Sequence, residues 1–183
     1  MADINQLHYV EFSGHGSEGP SPLEEVARHV HAFNREHGNT LGVDYPEWQA
    51  GQAPAGALTR LRVFGLAATL RQFIGQPRAM RLLAMGEVAR SALSPVPADA
   101  PLAAVKRDST ADKSKPSHAR RRAARGIAPF EGRQATPQLS LSVESKSTGM
   151  GFALKLRKLT VAPTNEVGFN SYGLCSTGGL PQF

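Results

Sequence analysis

The chain contains one cysteine, Cys175, which excludes an intramolecular disulfide and any multi-cysteine zinc site. Such sparing use fits a reducing compartment. No apolar run approaches the roughly 18 residues a spanning helix needs, so no membrane partner is expected. The opening stretch MADINQLHYVEF lacks a basic region followed by an apolar one, so no secretory signal and a cytoplasmic location are expected. Aromatic residues are 7% of the chain, and its strands lack the aromatic pattern on which standard RNA-recognition sheets stack bases. No G-x-S-x-G, phosphate-loop or dinucleotide fingerprint occurs, and no paired carboxylates invite glycosidase or two-metal chemistry. The six histidines, His8, His15, His29, His31, His37 and His118, match no H-E-x-x-H or Cys/His zinc spacing. Neither a metal nor a cofactor is therefore expected.

What the chain does have is positive charge in one place. Its 183 residues suit one domain or two small ones sharing a core. The formal net charge is +6, which points to a polyanionic partner. Residues 1–105 carry eight basic and ten acidic side chains, a balance of −2. Residues 126–183 carry five basic and three acidic, a balance of +2. Residues 106–125 carry Lys106, Arg107, Lys113, Lys115, Arg120, Arg121, Arg122 and Arg125 against Asp108 and Asp112, a balance of +6. A charge run is most often a solvated linker. This one lies between apolar, strand-like stretches, and its RRRAAR core has helical composition with Ser117 as a candidate N-cap. Phosphate binding is the reading preferred on that basis.

Hydrophobic patterning predicts the elements. His8–Phe12 reads as a strand. Ser21, Pro22 and Glu24 announce a helix start as N-cap, first helical residue and capping-box partner. Leu23, Val26, Val30 and Phe33 continue it at helical spacing until Gly38. Leu41–Tyr45 is a second strand, and Thr59–Phe64 a half-buried third with Arg60 and Arg62 facing outward. A short helix carries Leu66, Leu70, Phe73 and Ile74, and Met80–Arg90 is expected to be a fourth strand or bent hairpin. The predicted order is β-α-β-β-α-β, so the fold class is α+β with an N-terminal ferredoxin-like domain over residues 1–93. Residues 94–105 read as a Pro/Ala-rich connection, and 106–183 as a basic helix plus a small antiparallel sheet. Its strands are expected at Leu139–Val143, Phe152–Thr160 and Phe169–Leu174.

Two histidines on the first helix draw notice. His29 and His31 are about 200° apart around the helix axis, flanking the Val26/Val30/Phe33 stripe on opposite sides. Each could be a boundary histidine with no role, or could line a cleft. The polar loop Ser145-Lys146-Ser147-Thr148-Gly149 could be an ordinary turn or could present hydroxyls to a ribose or phosphate. Tyr172 is a core tyrosine or a functional phenol.

Taken together, SVESKSTGMGFALKLR, GFNSYGLCSTGGLPQF, LGVDYP after the first helix, a histidine on that helix and a proline followed by an arginine cluster resemble the type I-F CRISPR repeat endoribonucleases. The resemblance spans nearly the whole chain in order, and its C-terminal motif is the specific part. It implies a protein that binds a short hairpin of the CRISPR repeat RNA and cleaves at its 3′ base without metal. The ribose 2′-hydroxyl attacks the adjacent phosphate, and the enzyme stays on the mature guide RNA beside the other subunits of a surveillance complex. By position before LGVDYP, His31 matches the catalytic histidine, with His29 the competitor. Ser145 matches the serine that contacts the reacting ribose, and Tyr172 the tyrosine that orients the histidine. Ser147 and Thr148 match neighbouring RNA-contacting hydroxyls, and Phe152 the aromatic stacked beneath the terminal base pair. Arg120, Arg121, Arg122 and Arg125 match the arginine helix that enters the hairpin's major groove. Arg107 matches an arginine that reads a guanine. Ser109 stands where the family has glutamine, and two residues are inserted before Pro116, so base readout near the stem foot is expected to differ. Lys113 and Lys115 join the RNA contacts through their charge.

A non-catalytic hairpin-binding subunit is the alternative. His31, Ser145 and Tyr172 argue against it, since all three positions of the implied site are retained. A general RNA- or ribosome-binding module would leave the S-x-S-T-G loop unexplained.

Overall fold

The computed structural model describes residues 1–14, 21–54, 58–108, 116–128, 139–144 and 151–183. Within them the chain is α+β, with four α-helices and antiparallel sheets.

The first helix, α1 (Pro22–His37), follows β1 (Ala2–Asp3) and β2 (Leu7–Ser13). Its sequence dictates its ends. Pro22 fits the first helical position because its missing N–H would have had no partner there. The Ser21 carbonyl accepts the Glu24 N–H at 2.8 Å, while its hydroxyl makes no capping bond, so the expected capping box is not formed. Glu24 and Glu25 sit in the first turn, and Arg35 and His37 in the last, each complementing the helix dipole. Gly38 closes the helix at φ 82°, donating its N–H to Asn34 O, a left-handed cap that favours glycine.

The largest sheet has the strand order β3-β4-β2-β5, using β3 (Gly42–Asp44), β4 (Arg60–Leu66) and β5 (Ala89–Arg90). β4 runs antiparallel beside β2 with Val10 opposite Val63, and β3 lies antiparallel on its outer edge. α1 buries Leu23, Val26, Val30 and Phe33 against Val10, Phe12, Leu61 and Val63 of this sheet. Each such side chain contributes roughly 1.5–3 kcal/mol on full burial.

Two helices, α2 (Ala67–Ile74) and α3 (Pro77–Ala84), follow β4. The expected strand over Met80–Arg90 is thus corrected. Pro77 opens a helix that buries Ala79 and Leu82, three residues apart, and only Ala89–Arg90 pair with β2. The expected outward-facing Arg62 is also corrected. It is buried, because the far face of β4 is covered: its Nε donates to Glu11 Oε2 at 2.8 Å and its guanidinium lies over the Phe183 ring.

The stretch read as a connection carries β6 (Ser94–Pro95), which pairs with β2, and most of β7 (Leu102–Arg107). A second sheet has the order β12-β7-β9-β8, with β8 (Leu139–Glu144), β9 (Gly151–Thr160) and β12 (Leu180–Pro181). A third joins β1 to β10 (Glu166–Phe169) and β11 (Cys175–Thr177). The expected strand Phe169–Leu174 is therefore corrected: β10 ends at Phe169 and residues 170–174 form a turn. Val105, Leu154, Leu156 and Leu174 join the same buried cluster as α1, so one core binds the first sheet to the second. A smaller cluster gathers Ile4, Leu7, Phe64, Val167, Phe169 and Leu180. None of the described helices is long and apolar enough to cross a membrane.

Candidate active site and RNA-binding segment

The turn after β10 is built by its own polar groups. The Asn170 side-chain Oδ1 accepts the N–H of Tyr172 at 2.9 Å and of Leu174 at 3.1 Å. Its carbonyl accepts the Gly173 N–H at 2.9 Å. Gly173 has φ +75°, and a Cβ there would meet Val43 Cγ1 at 3.0 Å, so conformation and space both call for glycine. Its carbonyl accepts the Val43 N–H at 2.9 Å, which holds the turn to β3.

This turn delivers Tyr172 to α1. The rings of His31 and Tyr172 stack with centroids 4.1 Å apart and planes 2° from parallel. His31 Nδ1–H donates to the Ser171 carbonyl at 2.9 Å. A carbonyl can only accept, so this bond assigns the neutral ring's proton to Nδ1 and its lone pair to Nε2. Both side chains are half-buried.

His29 has a different setting. It is buried and stacked on Phe73 at 4.7 Å, beside an apolar pocket lined by Phe12, Val26, Ala79 and Leu82. Its Nε2 has no hydrogen-bond partner. Burial holds its pKa below the ordinary 6.5, and the nearby Arg78 cation pushes the same way. Two residues apart on one helix, the histidines thus occupy a polar contact and an apolar pocket.

The basic segment is partly described. Arg107 ends β7, exposed, with its residue opposite Leu156 on β9. The arginine helix α4 (Pro116–Ala123) begins one residue before the expected cap, which puts Ser117 inside its first turn. Arg120 and Arg121 are exposed on it, and Arg125 is exposed in the turn just beyond. Arg122 is half-buried and donates from Nε to the Ala128 carbonyl at 2.8 Å, so it also ties down the chain beyond the helix. Ser109, Lys113, Lys115, Ser145, Ser147 and Thr148 lie outside the described residues. So does the side chain of Phe152, whose backbone in β9 is opposite Val143 of β8. β8 pairs antiparallel with β9 and lies against α1.

Three participants escaped the sequence reading: Asn34, Asn170 and the Ser171 carbonyl. Asn170-Ser-Tyr-Gly173 carries a turn signal, asparagine followed three residues later by glycine, that could have located the second. Among the described residues no cluster of three His, Cys, Asp or Glu side chains could hold a metal ion.

A half-buried histidine on a tyrosine, in an α+β scaffold that also carries a basic helix, is found here in a CRISPR-associated class of proteins. The family model described as CRISPR-associated protein (Cas_Csy4) matches residues 21–183. The chain belongs to this family, the type I-F endoribonucleases that bind and process CRISPR repeat RNA. No curated protein matches it.

Proposed function

We propose that the chain binds the CRISPR repeat hairpin, cleaves at its 3′ base without metal, and stays on the mature guide RNA as a subunit of a type I-F surveillance complex. His31 is the general base. Its Nε2 takes the proton of the 2′-hydroxyl, the oxygen attacks phosphorus in line, and the bond to the 5′ oxygen breaks. The products are a 2′,3′-cyclic phosphate and a 5′-hydroxyl, the latter reprotonated by the imidazolium or water. Ser145 contacts the ribose, and Tyr172 orients the imidazole. Ser147, Thr148 and Phe152 hold the stem base. Arg107, Ser109, Lys113, Lys115, Arg120, Arg121, Arg122 and Arg125 hold the stem. Catalysis rests on positioning and one proton transfer, consistent with slow turnover.

The observation that carries this reading is the His31–Tyr172 stack with the Ser171 carbonyl on Nδ1. It gives His31 a fixed plane and a defined tautomer, both required of a base. His29, buried against Phe73 with its Nε2 unpartnered beside an apolar pocket, supports the choice of His31 by contrast. The β3-β4-β2-β5 order, antiparallel throughout, supports a ferredoxin-like reading of residues 1–93, with 106–183 as the RNA-binding part.

The test is single-turnover cleavage of repeat hairpins in EDTA, with product ends mapped. His31→Ala should slow cleavage by roughly 10²–10⁴-fold and leave hairpin affinity nearly unchanged. His29→Ala should lower stability and spare the rate of the folded fraction. If the two exchange roles, the assignment of the base fails. Activity that disappears in EDTA would refute the metal-free route, and unaltered RNA with tight binding would favour the non-catalytic alternative.

A further inference from the structure

Tyr172 can serve His31 only if something holds the turn that carries it. Two asparagines do so. Asn34 lies three residues after His31 on α1, so the two side chains leave the same face of the helix. Asn34 is buried, and every polar group of its side chain is engaged. Its Oδ1 accepts the Leu41 N–H at 2.9 Å. Its Nδ2 donates to the Leu41 carbonyl at 2.8 Å and to the Asn170 carbonyl at 3.4 Å. The second asparagine receives that bond and governs the turn from within. Its Oδ1 fixes the N–H groups of Tyr172 and Leu174, and its own N–H donates to Leu174 O at 3.0 Å.

The two rings are therefore referenced to each other through a short polar chain. It runs from α1 through the Asn34 carboxamide to Asn170, and from Asn170 Oδ1 to the backbone of Tyr172. The Ser171 carbonyl that sets the His31 tautomer lies inside the same turn, between these anchors. Loss of the Asn170 acceptor would leave two N–H groups without their partner and release Ser171 and Tyr172 together.

We infer that Asn170, held by Asn34, is a positioning residue for the cleavage reaction: it fixes the Ser171 carbonyl and the Tyr172 ring against His31. This rests on the reading above that His31 is the base. Asn170 touches neither the reacting ribose nor the phosphate in this scheme and acts through its neighbours.

The test compares Asn170→Ala, Asn170→Ser and Asn170→Asp with the parent chain. Aspartate keeps the Oδ acceptor, serine offers a shorter one and alanine none. Single-turnover cleavage should fall about tenfold to a hundredfold in Asn170→Ala, with hairpin Kd within about twofold of the parent. Asn170→Asp should restore most of the rate, and Asn170→Ser should fall between. In parallel, the His31 ring-proton NMR signals should lose the Tyr172 ring-current shift in Asn170→Ala and regain it in Asn170→Asp. A residue with only a structural role would lower the unfolding midpoint and move neither the rate-to-affinity split nor that shift. Should Asn170→Ala fail to fold, the Ser and Asp variants carry the comparison. Cleavage unchanged in the variants, while His31→Ala abolishes it, overturns this inference and leaves the base assignment standing. Cleavage that survives His31→Ala overturns the base assignment itself.

Discussion

Lys158 Nζ lies 2.7 Å from Asp44 Oδ1, and both side chains are fully shielded from solvent. The pair bridges β9 of the second sheet and β3 of the first, and Nζ also donates to the Tyr45 carbonyl at 3.0 Å. Burial pushes the Asp44 carboxyl up and the Lys158 amine down, while each charge works to keep the other ionised. Asp44 is the aspartate of LGVDYP, so a residue within the family-like motif here has a structural task.

Replacing Lys158 by Met should therefore destabilise the chain by about 3–5 kcal/mol, because Asp44 is left buried and unpaired. The double variant Lys158→Met with Asp44→Leu should recover much of that loss, since apolar pairs of similar size often replace buried ion pairs without penalty. Urea unfolding of the two singles and the double measures the coupling. Purely additive losses would mean that the two charges do not stabilise one another.

His29 predicts acid sensitivity. Its folded pKa lies below 6.5, the value for the unfolded chain, because burial and Arg78 oppose the charged ring. A hydrogen bond to the Phe73 backbone and the charges of Glu25 and Glu36 oppose the shift but do not reverse it. The unfolded chain thus takes up a proton first. This contribution is fully present above pH 6.5 and is lost as pH falls toward the lowered native value, at a limiting slope of about 1.4 kcal/mol per pH unit. His29→Phe should flatten the difference in urea midpoint between pH 7.5 and pH 5.5. An equal pH response in both proteins would remove His29 as its source.

The arginine helix predicts a salt signature. Neutralising Arg120, Arg121 and Arg125 together should weaken hairpin binding and lower the slope of log K against log salt, by roughly 0.7–0.9 for each phosphate that is no longer neutralised. Arg122→Ala should behave differently. Its Nε already serves the Ala128 carbonyl, so the change should loosen the residues after the helix and alter the slope less. A triple variant with the parent's slope would take these side chains out of the interface.

Much of the scaffold was legible because burial leaves a periodic trace. Leu23, Val26, Val30 and Phe33 named α1 and its inner face, and Leu61 and Val63 named β4. Met80–Arg90 misled because Leu82 and Leu83 fit a strand as well as a short helix, and the deciding signal was Pro77 just ahead. Arg62 misled because alternation assumes water on one face, and Phe183 with Glu11 covers it. Tyr172 was legible through the family-like motif, yet its setting was not. The turn itself left a local signal in Asn170 and Gly173, but the Asn34 carboxamide reaches Asn170 across 136 positions, a contact that leaves no local period.

That distance has a consequence for when the protein becomes a nuclease. His31 and the carbonyl that fixes its tautomer are 140 positions apart. Closing a contact of that span costs more chain entropy than closing a local one. On the proposal that His31 is the base, a chain whose β10 and following turn are undocked would hold the histidine without the carbonyl that sets its tautomer, so cleavage would depend on completing the fold.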